Sequence, residues 1–252
     1  MIIELFGPPG VGKTTFAHAL VAQLQRRGHA VKLVASYRPA EEYDSGAVVP
    51  ARHPTAAVIR RLTRPLVEML EVVCHPFANS RDIGTAANLV RILPSKNLIW
   101  SIRMCQYICR FSHSWYQASA ADHVVFDQAY VQAVCSLAIL SGIEDETILA
   151  RALNVAPKAD LLIRLSAPLD ILKTRLNERR SQQGAMERLL EFDLKRNLQQ
   201  IEIIDRLHDL LRRSGRSVTC AYSQDPQLLR ESSEYIAQQL LEKFPTQYVG
   251  AA

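Results

Sequence analysis

One short segment near the start constrains the fold of this 252-residue chain more than any other part of it. It reads Gly7-Pro8-Pro9-Gly10-Val11-Gly12-Lys13-Thr14 and matches the pattern G-x-x-x-x-G-K-S/T in full. An apolar stretch over 1–7 predicts a short buried strand, and an amphipathic stretch over 14–27 predicts a helix. Because the motif is specific when it joins a strand to a helix, the chain is predicted to begin with a strand, a phosphate-binding loop and a helix.

The chemistry of such a loop follows from its residue types. Glycines let the backbone curl so that successive N–H groups point inward at phosphate oxygens, and the helix N-terminus adds its dipole. Lys13 is predicted to reach the β- and γ-phosphates, Thr14 to ligate Mg²⁺, and Thr15 to contact the α-phosphate. ATP and Mg²⁺ are therefore the predicted cofactors, held by Gly7, Pro8, Pro9, Gly10, Val11, Gly12, Lys13, Thr14 and Thr15.

A second metal-side group is predicted at Asp127, which ends the apolar strand Val-Val-Phe-Asp. Ligands collect at the carboxyl edge of open α/β sheets, where a residue at the end of a strand projects. Asp127 would organise Mg²⁺ or accept the proton of an acceptor hydroxyl. The alternative is that it caps the following helix.

Strand-like and helix-like segments alternate along the whole chain. Strands are predicted at 1–7, 30–36, 122–128, 160–167 and 217–222, with helical segments between them and a closing helix over 226–243. This order predicts an α/β fold, a three-layer P-loop NTPase sandwich of about five mostly parallel strands with helices on both faces. One domain over 1–252 is expected, with a helical insertion at about 55–118. The part of it over 98–116 is apolar almost all round, which predicts a largely buried helix.

Composition excludes several classes of protein. Hydrophobic residues make up 48% and charged residues 22%, as in globular domains, and no apolar run approaches the roughly 20 residues of a membrane span. The start of the chain lacks the features of a secretory signal, so a cytoplasmic protein is expected. The net charge of +5 suits an anionic small molecule. Since no basic stripe is interleaved with aromatic residues, nucleic acid is not the expected partner.

The order of these features resembles the thymidylate kinase family, P-loop kinases of nucleoside monophosphates and deoxynucleosides. The resemblance covers about 1–222 in element order and is specific only at the phosphate loop. In that family the residues after the second strand line the acceptor site and often read R-E-P; here Tyr37-Arg38-Pro39 stands there, which implies that Arg38 binds substrate. The family's third strand often ends in Asp-Arg-Tyr, whereas this one ends in Asp127-Gln128-Ala129-Tyr130.

The resemblance also implies a helical lid at about 175–190, after the fourth strand. Arg175 and Arg179 lie four residues apart and so share a helical face. As catalytic residues they would neutralise charge that develops on the transferred phosphoryl group when the lid closes. The alternative is a solvated basic face that pairs with neighbouring carboxylates such as Glu178.

The predicted acceptor side lies on the apolar helix over 98–116. Arg103 and Arg110 are two helical turns apart on one face, with Tyr107 between them. A guanidinium on a buried helix needs an anionic partner, either a substrate phosphate or carboxylate or a structural carboxylate such as Glu68. Gln128 and Gln132, which follow Asp127, are candidates to bind a sugar hydroxyl or a base edge.

Three functions remain open at this point. The first is transfer of the γ-phosphoryl group of ATP to a small acceptor, first a nucleoside monophosphate or a nucleoside. The second keeps this chemistry with a sugar, a polysaccharide precursor or an antibiotic, which the departures at Tyr37 and Gln128 favour. The third is an ATP-binding switch or assembly protein, although no N-K-x-D run for guanine is present and the third strand ends in a single acid. A homodimer through the apolar helix is also left open.

Overall fold

A five-stranded parallel sheet forms the centre of the fold in a computed structural model that describes residues 1–35, 80–118, 123–182 and 194–243. Its spatial order is β2-β3-β1-β4-β5, and all four strand pairings are parallel. β1 is therefore the central strand, and the loop that follows it lies in the middle of the carboxyl edge. The strands are β1 (Ile2–Phe6), β2 (Val31–Val34), β3 (His123–Phe126), β4 (Leu161–Ser166) and β5 (Val218–Tyr222).

Eight helices in the described ranges cover the two faces of the sheet. Side chains of the strands alternate between two hydrophobic clusters, as Ile3 and Leu5 join one and Phe6 the other. This arrangement confirms the predicted three-layer α/β sandwich. The helices are α1 (Lys13–Arg26), α2 (Ser80–Ile92), α3 (Leu98–Gln117), α4 (Tyr130–Ser141), α5 (Glu146–Val155), α6 (Leu169–Gln182), α7 (Leu194–Arg213) and α8 (Pro226–Lys243).

Each face has its own set of helices. Helices α1 and α8 pack on the face of Ile3 and Leu5, whereas α2, α3, α4, α5 and α7 contribute to the core on the opposite face. The described part of the expected insertion, α2 and α3, therefore shares a core with β3. Residues 36–79 lie outside the described ranges, and so do the segments 183–193 and 244–252.

The prediction that α3 is largely buried is wrong for its first turns. Leu98, Ile99 and Ile102 are 74%, 66% and 43% exposed, whereas Ile108 and Trp115 farther along are buried. The helix packs against α2 and α4 mainly through its later turns, so an apolar sequence on all sides does not bring burial on all sides.

Within the ranges that the structure describes, none of the helices combines the length and apolarity that crossing a membrane requires.

Candidate phosphate-binding site

The loop between β1 and α1 is curled around its own lysine. The Lys13 Nζ donates to the carbonyl oxygens of Gly7 at 2.8 Å and Pro8 at 3.0 Å. Only 7% of Lys13 is exposed, so its ammonium group lies inside the loop. Gly12 precedes α1 with a φ of +88°, a left-handed conformation that favours glycine. The loop is thus closed on a cation, which suits it to an anionic ligand.

Gly7 lies where the loop passes closest to the sheet. A Cβ atom at Gly7 would stand 2.5 Å from the Leu165 carbonyl oxygen, a backbone atom of β4. On its other side the Gly7 N–H points to the Gln132 Oε1 at 3.4 Å, a long hydrogen bond from the loop to α4. The first glycine of the motif is therefore required by close approach to backbone, which the sequence pattern does not reveal.

The substitution Gly7→Ala is expected to lower the free energy of unfolding by about 1–3 kcal/mol, because the backbone of β4 or of the loop must shift to admit the methyl group. Gly84→Ala is the control for a methyl group added without a clash, since a Cβ at this position in α2 meets nothing within 4 Å. Because alanine favours the helix more than glycine does, this variant is expected to gain up to about 1 kcal/mol in free energy of unfolding. Urea unfolding of both variants and of the wild-type protein measures the three free energies of unfolding. Equal stabilities of the Gly7→Ala and wild-type proteins would contradict the close approach.

Asp127 and Thr14 meet at the carboxyl edge of the sheet. Asp127 directly follows β3 and is fully buried, and the Thr14 Oγ1 donates to its Oδ2 at 2.9 Å. The Thr14 hydroxyl lies on the first turn of α1 and the Asp127 carboxylate lies beside it. Oxygen atoms of these two kinds are ligands that Mg²⁺ takes. These two residues therefore fit a magnesium ion bound next to phosphates. The residue before α4 is Ala129, whose side chain offers the helix no cap.

Two further contacts hold neighbouring elements against the loop. The Ser223 hydroxyl donates to the Val11 carbonyl oxygen, and the Ser223 N–H donates to Ser166 at the end of β4. Arg175 of α6 donates to the Gly10 carbonyl oxygen at 3.5 Å and, at 2.9 Å, to that of Gln224. The loop is therefore flanked by the start of the segment after β5 and by a helix that carries a guanidinium group.

The other predicted site residues lie in varied surroundings. The Arg103 guanidinium stands 4.7 Å from the centre of the Trp100 ring, and burial lowers its pKa. Tyr107 contacts Phe111 edge-on, with ring centres 5.1 Å apart, while Arg110 is exposed and Gln128 is half-buried. Pro8, Pro9 and Gly10 belong to the loop, and Thr15 is exposed on α1. The side chain of Arg179, on α6, and the whole of Arg38 fall outside the described part of the chain.

The later part of α3 borders the segment that carries Asp127. The Tyr130 hydroxyl, three residues beyond Asp127, lies 2.7 Å from the Ser112 hydroxyl of α3. The Tyr130 ring also contacts Phe111 and Trp115, with ring centres 4.8 and 5.0 Å away. An aromatic cluster thus fixes α3 to the start of α4, next to the phosphate loop.

Glu4 also borders the site, and no role for it was predicted from the sequence. It is fully buried in β1, and its Oε1 accepts a 2.6 Å hydrogen bond from the Val131 N–H of α4. Its Oε2 has no hydrogen-bond partner among the described residues. Burial raises the pKa of Glu4 to about 8. The available signal was a carboxyl residue in the middle of an otherwise apolar strand, where a charge has to be neutralised or bound.

Comparison with known proteins supports the fold and leaves the activity open. The family described as "ATPase family associated with various cellular activities (AAA)" matches residues 3–43, from β1 through the loop and α1 to beyond β2. A solved structure of deoxyadenosine kinase from M. mycoides with bound dATP is similar over 95% of this chain and 99% of that chain, with a TM-score of 0.50 and 14% identity. No curated protein matches this chain. The chain therefore shares the three-layer α/β fold of that structure, with a P-loop after the first strand.

Proposed function

We propose that this protein transfers the γ-phosphoryl group of ATP to a small acceptor, first a nucleoside or a nucleoside monophosphate. The observation that carries the proposal is the loop curled around Lys13 together with the Thr14–Asp127 pair, 2.9 Å apart, at one edge of the sheet. The likeness to the deoxyadenosine kinase structure supports a nucleoside as the first acceptor to test.

Each loop residue has a defined part in this proposal. Lys13 would exchange its two carbonyl partners for oxygens of the β- and γ-phosphates, and the loop N–H groups would bind the remaining oxygens. Thr14 and Asp127 would hold Mg²⁺, which when bound neutralises charge on the phosphates. For a hydroxyl acceptor, the acceptor oxygen bonds to the γ-phosphorus and the bond to ADP breaks. The alternative role of Asp127 is to take the hydroxyl proton instead of holding the metal.

The arginines of α6 are proposed to act on the transferred phosphoryl group. Arg175 already lies beside the loop through its bond to the Gly10 carbonyl, and Arg179 is one helical turn farther along. A guanidinium that reaches the γ-phosphate on closure binds the transition state more strongly than the ground state. The segment 175–190 remains the proposed lid, and its part over 183–190 lies outside the described residues.

Arg179→Ala is expected to lower kcat by about 10²-fold or more while the Kd of ATP changes little, because the contact would form mainly in the transition state. Arg175→Ala is measured in the same way. Lys173→Ala, an exposed charge on the same helix, is the matched control. If both arginine variants kept the wild-type kcat, neither guanidinium group would act on the transferred phosphoryl group.

A non-nucleotide acceptor is the second candidate, because Gln128 stands where the resembling kinases often carry arginine. A third is an ATP-binding assembly protein, which the match of the AAA family over residues 3–43 keeps open. The kinase proposal is favoured because the similarity to the deoxyadenosine kinase structure spans 95% of this chain. A cytoplasmic location, a homodimer and a small-molecule rather than nucleic-acid partner stay predictions.

Thermal unfolding with ATP and Mg²⁺ tests all three candidates. Nucleosides, nucleoside monophosphates, sugars and antibiotics are added one at a time, and a ligand that binds the folded state raises Tm. Acceptors that raise Tm are then tested for ADP formation. A nucleoside or nucleotide that gives both effects supports the proposal, a sugar or antibiotic supports the second candidate, and ATP binding without any acceptor supports the third.

A further inference from the structure

Glu4 occupies an unusual position for a carboxyl group. It lies in the central strand, opposite Phe126 of β3 and Leu162 of β4 in the strand register, and none of its surface is exposed. Burying a carboxyl group costs free energy unless the group is hydrogen-bonded or paired. The carboxyl group of Glu4 is therefore expected to make a contact that requires an oxygen acceptor and that an apolar side chain could not make.

That contact is with the first turn of α4. The N-terminal N–H groups of a helix have no partner within the helix, and a side chain at the preceding residue usually supplies an acceptor. Ala129 occupies that place and cannot do so. The Glu4 Oε1 accepts from the Val131 N–H at 2.6 Å instead. Glu4 thus caps α4 from the neighbouring strand.

The capped turn contacts the phosphate loop through Gln132, and in the chain it follows Asp127 closely. Gln132, the residue after Val131, holds its Oε1 at 3.4 Å from the Gly7 N–H at the start of the loop. Asp127 precedes Val131 by four residues and accepts from Thr14. A displacement of this turn would therefore move Gln132 away from Gly7 and Asp127 away from Thr14.

We propose that Glu4 is a positioning residue for the phosphate site, which holds the first turn of α4 so that Gln132 meets the Gly7 N–H and Asp127 meets Thr14. The inference rests on the proposed binding of ATP. It requires an oxygen acceptor at Glu4 and not a negative charge, which agrees with the pKa of about 8 that burial gives this carboxyl group. A glutamine at this position keeps the acceptor, whereas leucine fills the space without it.

The test compares three single variants and one double variant by their Kd for a fluorescent ATP analogue with Mg²⁺ and by hydrogen exchange of the amides at 129–134. Glu4→Leu is expected to weaken binding about tenfold, which is the order of one lost buried hydrogen bond, and to speed exchange of these amides. Glu4→Gln is expected to recover most of the affinity. Gln132→Met is expected to weaken binding as well, and adding it to Glu4→Leu should cost less than the sum of the two effects.

The outcomes separate this inference from the proposed function. A folded Glu4→Leu variant with wild-type Kd and wild-type exchange overturns the positioning role. If Glu4→Leu does not fold, Gln132→Met decides: weaker binding at unchanged Tm supports the role, and unchanged binding overturns it. Lys13→Ala tests the proposed function, because a Kd for the ATP analogue that stays at the wild-type value after this substitution overturns the phosphate site. The exchange rates of the Glu4 variants still test the capping of α4.

Discussion

Lys13→Ala is expected to reduce phosphoryl transfer from ATP by about 10³-fold or more while the protein stays folded. The Lys13 Nζ lies inside the loop, 2.8 and 3.0 Å from the carbonyl oxygens of Gly7 and Pro8, and is almost wholly buried. In such a site an ammonium group acts on the phosphates with little screening by water, so its removal costs far more than that of an exposed charge.

The measurement is acceptor-dependent ADP formation together with the Kd of ATP. Lys32→Ala is the matched control, because Lys32 is exposed on β2 and its loss should leave both quantities near the wild-type values. Circular dichroism and Tm report on folding, since the two lost hydrogen bonds are worth about 0.5–1.5 kcal/mol each. A folded Lys13→Ala variant with wild-type turnover is incompatible with phosphoryl transfer at this loop.

The parts of the site that the sequence predicts are those set by local pattern. The motif at 7–14 and the strand-end position of Asp127 led to a loop and a carboxylate at one sheet edge, and the structure brings Thr14 and Asp127 within 2.9 Å. All five predicted strands and the predicted helices of the described ranges are present. The spatial order of the strands was not predicted, because pairing partners are far apart in the chain and periodicity does not identify them.

The contacts that complete the site are long-range, and local pattern does not contain them. Glu4 and Val131, and likewise Gly7 and Gln132, are more than a hundred residues apart in the chain. Ser223, which binds the Val11 carbonyl, could have been suspected only from its place directly after β5 at the carboxyl edge. The position of Arg175 beside Gly10 likewise depends on how α6 docks, which its spacing from Arg179 does not determine.

The exposed first turns of α3 show the limit of a prediction from composition. Periodicity tells which residues of a helix share a face, and an apolar residue on every face leaves the packing partner undetermined. Leu98 and Ile99 are exposed in this chain, and the Arg103 guanidinium lies over the ring of the neighbouring Trp100. Such a surface is consistent with the homodimer that the sequence leaves open, and sedimentation of the purified protein at several concentrations would test it.

The stability of the fold is expected to depend on pH through Glu4. Burial raises the pKa of this carboxyl group from 4.5 to about 8, and the hydrogen bond from Val131 and the charge of Arg216 offset the effect of burial only in part. Between these two values the folded state holds a proton that the unfolded state has released. The contribution of Glu4 to stability is therefore fully present below about pH 4.5 and is lost as the pH rises toward about 8.

The size of this effect follows from the width of that interval. Each pKa unit corresponds to about 1.4 kcal/mol, so the wild-type protein should lose a few kcal/mol from this group alone across the interval. Glu4→Gln removes the titration and keeps an oxygen acceptor for the Val131 N–H. The difference in free energy of unfolding between the Glu4→Gln and wild-type proteins should therefore grow in favour of the variant as the pH rises.

Urea unfolding of both proteins at pH 5.5, 7 and 8.5 is the measurement, and the difference between them cancels the titration of all other groups. Arg216→Gln provides a second variant. Because the positive charge of Arg216 lowers the pKa of Glu4, its removal should raise the pKa of Glu4 further. A difference between Glu4→Gln and wild type that stays constant from pH 5.5 to 8.5 would show that Glu4 keeps an ordinary pKa. Its carboxylate would then be charged at neutral pH, and the capping of α4 would depend on that charge and not on a neutral oxygen acceptor.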